Sequence, residues 1–426
     1  MYRSKSNNPH LLLREIFLQH GLAFIDQYDP IPNQVKLLDD VINCQTRAMG
    51  GYLQTISNSQ KSRVAYFRCK NRLCPLCTYV DKNNWWRSTM NRLLPYCSHA
   101  LVTVIPPPTL HTLICKNQNG NNDKEQKFFY DLLLVIPAVV IKEYATNPRY
   151  LGGIVGIVSI LQTWKDNLDY YPHTHHVVTN YGLCDDKLVE PKMPNWIDEG
   201  IVSQRIKELV LEHVNKHKHL WNKQTYQHIE KCLQEGHWSV HYEPCGNELK
   251  KIINEFGDVN YEADHSKNLE KVLKYIKRNS LSGKRIANEG DHVTIRYTNY
   301  FNQRMQETIS GVEFIRRYVQ HVLPQNFHQV RYSGLAHSAN KPALQQVKRL
   351  LLEKKFLEKC SEIKSELWDN GQVLNILNHH VKDEMITRET FSYFCYESHF
   401  LNKRSMVFIE SLVPYDTRAS PRNRCY

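Results

Sequence analysis

Apolar residues recur at helical spacing over residues 9–43, and the pattern breaks at Tyr28-Asp-Pro-Ile-Pro32, so two amphipathic helices are expected there. Residues 44–97 carry a cysteine cluster and the aromatic–basic run Trp85-Trp86-Arg87. Ala100 to Ile105 reads as a strand that stops at Pro106-Pro-Pro108. Polar residues from Lys116 to Asp123 predict a loop, and Asp123 to Tyr144 a helix. Residues 154–169 run from an apolar segment into an expected helix, and His173 to Thr179 forms a short strand. The pattern is helical again from Ile201 to Glu235. Trp238 to Tyr242 and Val293 to Tyr297 alternate as strands do, and a helix bearing Tyr275 lies between them. After residue 310 helical patterning dominates, notably from Pro342 to Lys364. Strands mixed with helices predict an α+β fold: a central antiparallel-sheet domain over 98–300, an N-terminal helical segment over 1–43, a cysteine-bearing region over 44–97, and a helical C-terminal region over 301–426.

Composition narrows the class. The chain has 426 residues with 41% apolar content, enough for real cores, and its 23% charged residues are spread along it. A net charge of +12 favours a polyanionic partner, most simply nucleic acid, because neutralised phosphates release counterions. The first residues lead into no apolar secretory core, so the twelve cysteines are expected reduced, some binding metal. The longest apolar runs, Leu132 to Ile141 and Ile154 to Leu161, fall short of the roughly 18–20 residues that span a bilayer. A soluble protein is expected. No phosphate-binding loop of the G-x4-G-K-[ST] type is present, and no G-x-G-x-x-G follows a strand, so no nucleotide cofactor is indicated.

Three constellations carry chemistry. Tyr170-Tyr-Pro-His-Thr-His-His-Val-Val-Thr179 places His173 and His175 at i, i+2 of a strand, where both imidazoles face one side and can share an ion. His176 would face the other way. On the helix spanning 268–278, Leu269, Val272, Leu273 and Ile276 form one apolar stripe, and Tyr275 lies roughly 110° from its centre. Lys271 and Arg278 neighbour its ring on that surface, Lys274 shares the helix, and Lys284 and Arg285 follow. A tyrosine among cations suits a phosphodiester, although a phenol ionises near pH 10 and needs help to attack. Cys69-x4-Cys74-Pro-Leu-Cys77 supplies three thiolates at zinc-knuckle spacing. Cys44 is the best fourth ligand, with Cys97 or His99 as substitutes, and a closed site would hold a DNA-contacting subdomain with Lys70, Arg72, Lys82 and Arg87.

The order of these motifs resembles the rolling-circle transposases of the insertion sequence 91 family, members of the His-hydrophobic-His (HUH) endonucleases. The matching stretches are Cys44-Gln-Thr-Arg-Ala-Met-Gly-Gly51, Cys69 to Cys77, Leu161-Gln-Thr-Trp164, Pro172-His-Thr-His175, Gly182-Leu183, Trp238-Ser-Val240, Tyr275-Ile-Lys-Arg278 and Glu313 to Pro324. The resemblance implies that Tyr275 forms a 5′-phosphotyrosine with single-stranded DNA. It implies a catalytic Mg2+ or Mn2+ on His173 and His175, and a structural Zn2+ on Cys44, Cys69, Cys74 and Cys77. Lys271, Lys274, Arg278, Lys284, Arg285, Arg72 and Arg87 would contact DNA. The substrates would be hairpin-bearing element ends and target DNA, and the location the bacterial cytoplasm, at the nucleoid. Three features depart from the pattern: Lys271 stands where the family has a second tyrosine, Thr174 where it has a large apolar residue, and no cysteine lies between Leu53 and Ala65. The competing expectations are a rolling-circle replication initiator or relaxase, and a non-catalytic zinc-bearing DNA-binding protein.

Overall fold

The structure is a computed structural model that describes residues 8–55, 62–94, 97–115, 123–193, 195–246, 249–253, 259–263, 269–277, 285–299 and 301–369. The helices are α1 (Pro9–Tyr28), α2 (Pro32–Asn43), α3 (Pro75–Met90), α4 (Pro108–Ile114), α5 (Asp123–Thr146), α6 (Glu199–Lys216), α7 (Lys223–Glu235), α8 (Leu269–Ile276), α9 (Gly311–Val319) and α10 (Lys341–Asp369). The first seven strands are β1 (Gly51–Thr55), β2 (Ser62–Tyr66), β3 (Ser98–Ile105), β4 (Gly156–Trp164), β5 (Tyr170–Thr179), β6 (Gly182–Cys184) and β7 (Lys187–Val189). The others are β8 (Ser239–Gly246), β9 (Leu249–Ile253), β10 (Val259–Ala263), β11 (Ile286–Glu289), β12 (His292–Thr298), β13 (Arg304–Ser310) and β14 (Val330–Gly334). Residues 1–347 form one compact unit and residues 348–426 a second. Among the described residues no helix is long and apolar enough to cross a membrane.

The centre of the first unit is a five-stranded antiparallel sheet in the order β14-β4-β5-β3-β8. One face buries Val102, Ile157 and Val178 against Leu133 and Ile141 of α5 and Val202 and Ile206 of α6. The other buries Leu101, Val158, Ile160 and Val177 against Leu269, Leu273 and Ile276 of α8. β4 is buried at every position from Gly156 to Trp164. That explains why residues 154–169 do not contain the expected helix: a strand covered on both faces loses its apolar–polar alternation and reads like a buried helix.

A second core joins distant segments. Leu13, Phe17, Leu37 and Val41 of α1 and α2 pack with Cys44, Cys74 and Cys77 against Val293 and Ile295 of the β11-β12-β13 sheet and Phe314 and Tyr318 of α9. Within the C-terminal region expected to be helical, the chain also forms β13 and the sheet-edge strand β14. The Glu313 to Pro324 stretch stitches these layers together. Ser310 caps α9 by accepting from the Glu313 N–H at 3.2 Å, and the Tyr318 hydroxyl donates to the Leu73 carbonyl. Gln320 Nε2 and His321 Nε2 lie 2.9 and 3.1 Å from the carbonyl of Leu168, a residue of positive φ (67°) between β4 and β5.

Candidate metal centre and tyrosine face

Two groups of side chains stand out, and they differ in kind: the first, four cysteines, could hold a metal ion. Cys77 Sγ lies 3.7 Å from Cys44 Sγ and 3.6 Å from Cys69 Sγ, Cys74 Sγ lies 3.7 Å from Cys44 Sγ, and all four sulfurs fall within 4.8 Å of one another. A tetrahedron with Zn–S bonds of about 2.3 Å has edges of roughly 3.8 Å, so the spacing fits zinc. The knuckle forms locally. Lys70 takes a left-handed conformation (φ 58°), which turns the Asn71 N–H toward Cys69 Sγ at 3.5 Å. Cys74 then sits at the N-cap of α3 and Cys77 in its first turn. Cys44 comes from the end of α2 and completes the set. Cys97 and His99 stand outside the cluster, where the Cys97 thiol donates to the Leu94 carbonyl and His99 Nδ1 lies 3.0 Å from the Cys97 carbonyl. Crowded thiols ionise unequally. The hydrogen bond with Cys74 draws the Cys69 thiol down to about 6, whereas burial pushes Cys77 up to about 12. A divalent cation removes that conflict by accepting four thiolates at once.

The second group lies on the α8-covered face of the central sheet. His173 and His175 project from β5 to this face, with ring centroids 4.9 Å apart. His173 Nδ1 donates to the Tyr171 carbonyl at 2.8 Å. His175 Nδ1 meets the Thr103 hydroxyl at 2.9 Å, from the neighbouring strand. His176 points the opposite way and is held through both nitrogens, by Ser159 Oγ at 2.8 Å and Thr174 Oγ1 at 2.9 Å. Tyr275 rises from α8 with 51% of its surface exposed, and its ring centroid stands 6.4 Å from that of His175. The amphipathic register explains this placement: Leu269, Leu273 and Ile276 enter the core, and the tyrosine stays at the rim.

Three side chains that sequence patterning left without a role hold this arrangement. Gln162 of β4 pairs in register with His173, shares its face, and donates from Nε2 to the Ile276 carbonyl at 2.5 Å. It ties the end of the tyrosine helix to the histidine strand. Its only sequence signal is its place in Leu161-Gln-Thr-Trp164. Trp85 and Trp86 of α3 form the other seat. Trp85 packs into the same core as α8, Lys277 Nζ lies 5.7 Å from its ring centroid, and Lys274 Nζ lies 4.8 Å from that of Trp86. One helix therefore begins in the cysteine cluster and ends against the tyrosine helix.

The expected DNA-contacting cations divide into two sets. Lys271 and Arg87 are exposed, and Lys274 pairs with Glu270 while stacking on Trp86. Arg72 is committed to the fold, its Nη1 donating to the Phe327 carbonyl at 2.6 Å. Arg285 is likewise committed, to the Arg296 carbonyl, the Asp166 carbonyl and the Asp166 carboxylate. Both thus hold main-chain carbonyls of distant segments. Arg278 and Lys284 lie outside the described residues, as does the side chain of Lys82.

The family described as "Transposase zinc-binding domain" matches residues 16–104, from α1 through β3. The family described as "Putative transposase" matches residues 156–343, from β4 into α10. The chain is 25% identical over 339 residues to "Putative transposase y4qJ" of Sinorhizobium fredii, covering 75% of this chain and 79% of that one. It is also 25% identical over 317 residues to "Transposase for insertion sequence element IS801" of Pseudomonas savastanoi pv. phaseolicola, covering 71% and 70%. No solved structure matches the chain significantly. The zinc-binding domain precedes the transposase domain along one chain, both transposases are matched over most of their length, and together these matches support a transposase of the insertion sequence 91 family.

Proposed function

We propose that this protein nicks and rejoins single-stranded DNA at the ends of an insertion element through a covalent phosphotyrosine at Tyr275, as an HUH-type endonuclease. The observation that carries the reading is the 6.4 Å approach of the Tyr275 ring to His175, on the sheet face shared with His173. Two imidazoles with their Nδ1 atoms engaged by Tyr171 and Thr103 suit a Mg2+ or Mn2+ ion. The amide oxygen of Gln162, on the same face, is the oxygen donor proposed to complete the protein's share of its shell. Such an ion neutralises phosphate charge and polarises the phosphorus–oxygen bond.

The chain's own residues do the rest. Lys271, Lys274 and Arg87 draw the DNA backbone across the exposed side of α8. The Tyr275 phenol loses its proton, its oxygen bonds phosphorus, the bond from phosphorus to the 3′ oxygen breaks, and that oxygen leaves with a proton as a 3′-OH. Because the ester energy is stored in the tyrosine link, attack by a 3′-OH reverses the step and joins strands without a nucleotide cofactor. Hairpin-bearing ends and target DNA are the proposed partners, and bacterial cytoplasm the proposed location.

The test mixes the full chain with labelled single-stranded element end in Mg2+ or Mn2+. A covalent adduct resistant to denaturant is expected, and Tyr275→Phe abolishes it. Binding by the wild type without any adduct would leave only the DNA-binding reading.

A further inference from the structure

Between Cys44 and Cys69 the chain forms an antiparallel ribbon of β1 and β2, and no third strand joins it among the described residues. Its root is clamped at the cysteine cluster. Phe67 donates its N–H to the Gly50 carbonyl at 3.0 Å, and Gln45 donates to the Phe67 carbonyl at 3.1 Å. Gly50 has φ +71°, and a Cβ at Gly51 would come within 2.6 Å of the Ala65 carbonyl, so the strands part and meet tightly there.

Both faces of this ribbon carry exposed apolar side chains. Cross-strand pairing puts Leu53 and Val64 with Tyr66 on one side, and Tyr52 with Ala65, Gln54 with Arg63, and Phe67 on the other. Leu53 is 74% exposed, Tyr52 55%, Val64 53% and Phe67 50%, and none of these side chains enters a hydrophobic core formed among the described residues. A two-stranded ribbon is marginal by itself in water, and apolar side chains left bare on both faces mark a surface that meets a partner.

Charge says which partner. From Cys44 to Cys77 the basic residues are Arg47, Lys61, Arg63, Arg68, Lys70 and Arg72, and there is no Asp or Glu. Arg47, Arg63, Arg68 and Lys70 are exposed, beside or upon the ribbon. We infer that the β1–β2 ribbon inserts into a groove of double-stranded DNA, its apolar side chains against base edges and its arginines on the flanking phosphates. The major groove is about 12 Å wide and accepts a two-stranded ribbon. Entry into a groove uses both faces of a ribbon, which a single strand lying on one face would not. The inference rests on the proposed function only in assigning duplex to this element while single-stranded DNA occupies the tyrosine face.

Fluorescence anisotropy with the full chain tests it, using a mixed-sequence duplex and a thymidine oligonucleotide of the same length. Arg63→Ala/Arg68→Ala is expected to weaken duplex binding roughly tenfold and to lower the slope of log affinity against log salt by about 2. Leu53→Ser/Val64→Ser is expected to weaken duplex binding while leaving the thymidine oligonucleotide unaffected. These residues are exposed and outside the tyrosine face, so adduct formation on a short unpaired oligonucleotide stays unchanged. Wild-type duplex affinity in both variants overturns the inference. It is overturned equally if sedimentation shows self-association that Leu53→Ser/Val64→Ser abolishes without touching duplex binding, since the ribbon would then meet a second copy. Tyr275→Phe binds duplex normally, so failure of the nuclease reading and failure of the ribbon reading give different results.

Discussion

Four sulfurs from a helix end, a knuckle and the start of another helix surround one point, whereas two imidazoles stand side by side on one strand beneath a half-exposed phenol. The first group is closed: the protein supplies every ligand, and Cys44, Cys74 and Cys77 are buried. The second is open toward solvent, with His173 partly exposed and Tyr275 at the rim. A closed four-thiolate zinc site stabilises a fold, whereas the proposed function gives the chemistry to the histidine–tyrosine face. The two regions also differ in how the chain builds them. Short-range turns make most of the cysteine cluster, and strands and a helix far apart in sequence make the histidine–tyrosine face. Helix α3 connects them, since it starts at Cys74 and carries Trp85 into the core beneath Tyr275.

Breaking the closed site should have the largest effect. Cys74→Ser is expected to lose zinc measured by metal analysis and to unfold the core of α1, α2 and α9 in thermal melts, because zinc in small structural sites contributes about 10–16 kcal/mol of apparent binding energy. A variant that loses zinc yet melts as the wild type does would remove the contrast between the regions. Breaking the open site should instead spare the fold. His173→Ala/His175→Ala is expected to reduce adduct formation roughly a thousandfold, several kcal/mol of lost charge stabilisation, with cooperative unfolding retained.

Acid should act on the scaffold common to both. Burial lowers His99 and His321 from 6.5 to about 4, so between these values the unfolded chain binds protons that the folded chain refuses. Stability therefore falls as pH drops from 6.5 toward 4 and levels off below it, by roughly 1–2 kcal/mol per histidine at pH 5. Urea denaturation at several pH values checks this, and His99→Gln/His321→Gln should flatten the dependence. The smallest effect sharpens the open site. Thr103→Val removes the hydroxyl that orients His175, with an expected loss of about 10–100-fold in metal affinity or nicking rate and an unchanged melt. Wild-type metal affinity and rate in Thr103→Val would mean that His175 needs no orienting partner.

Much of this was legible in the chain. Proline at Pro30 and Pro32 separates α1 from α2 as expected, and the helical stripe of Leu269, Leu273 and Ile276 predicted both α8 and the outward tyrosine. β4 was misread because burial on both faces erased its period. β14 was missed inside a region of helical pattern, and its edge position depends on pairing with β4 rather than on its own residues. The cations were the least legible. Nothing local distinguishes Arg72, which donates to the Phe327 carbonyl, from Arg87, which stacks on Trp86.

The sequence by itself determined the donor types and their local spacing: three thiols in a knuckle, two imidazoles on one face of a strand, a phenol off the apolar stripe of a basic helix. These follow from backbone periods of a few residues, which short segments carry within themselves. Only the tertiary structure decided that Cys44 joins the knuckle, that Gln162 stands beside His173, and that α8 lies over the histidine strand. Those pairings join segments far apart along the chain, and what selects them is the burial of whole faces against one another, a property no single segment encodes.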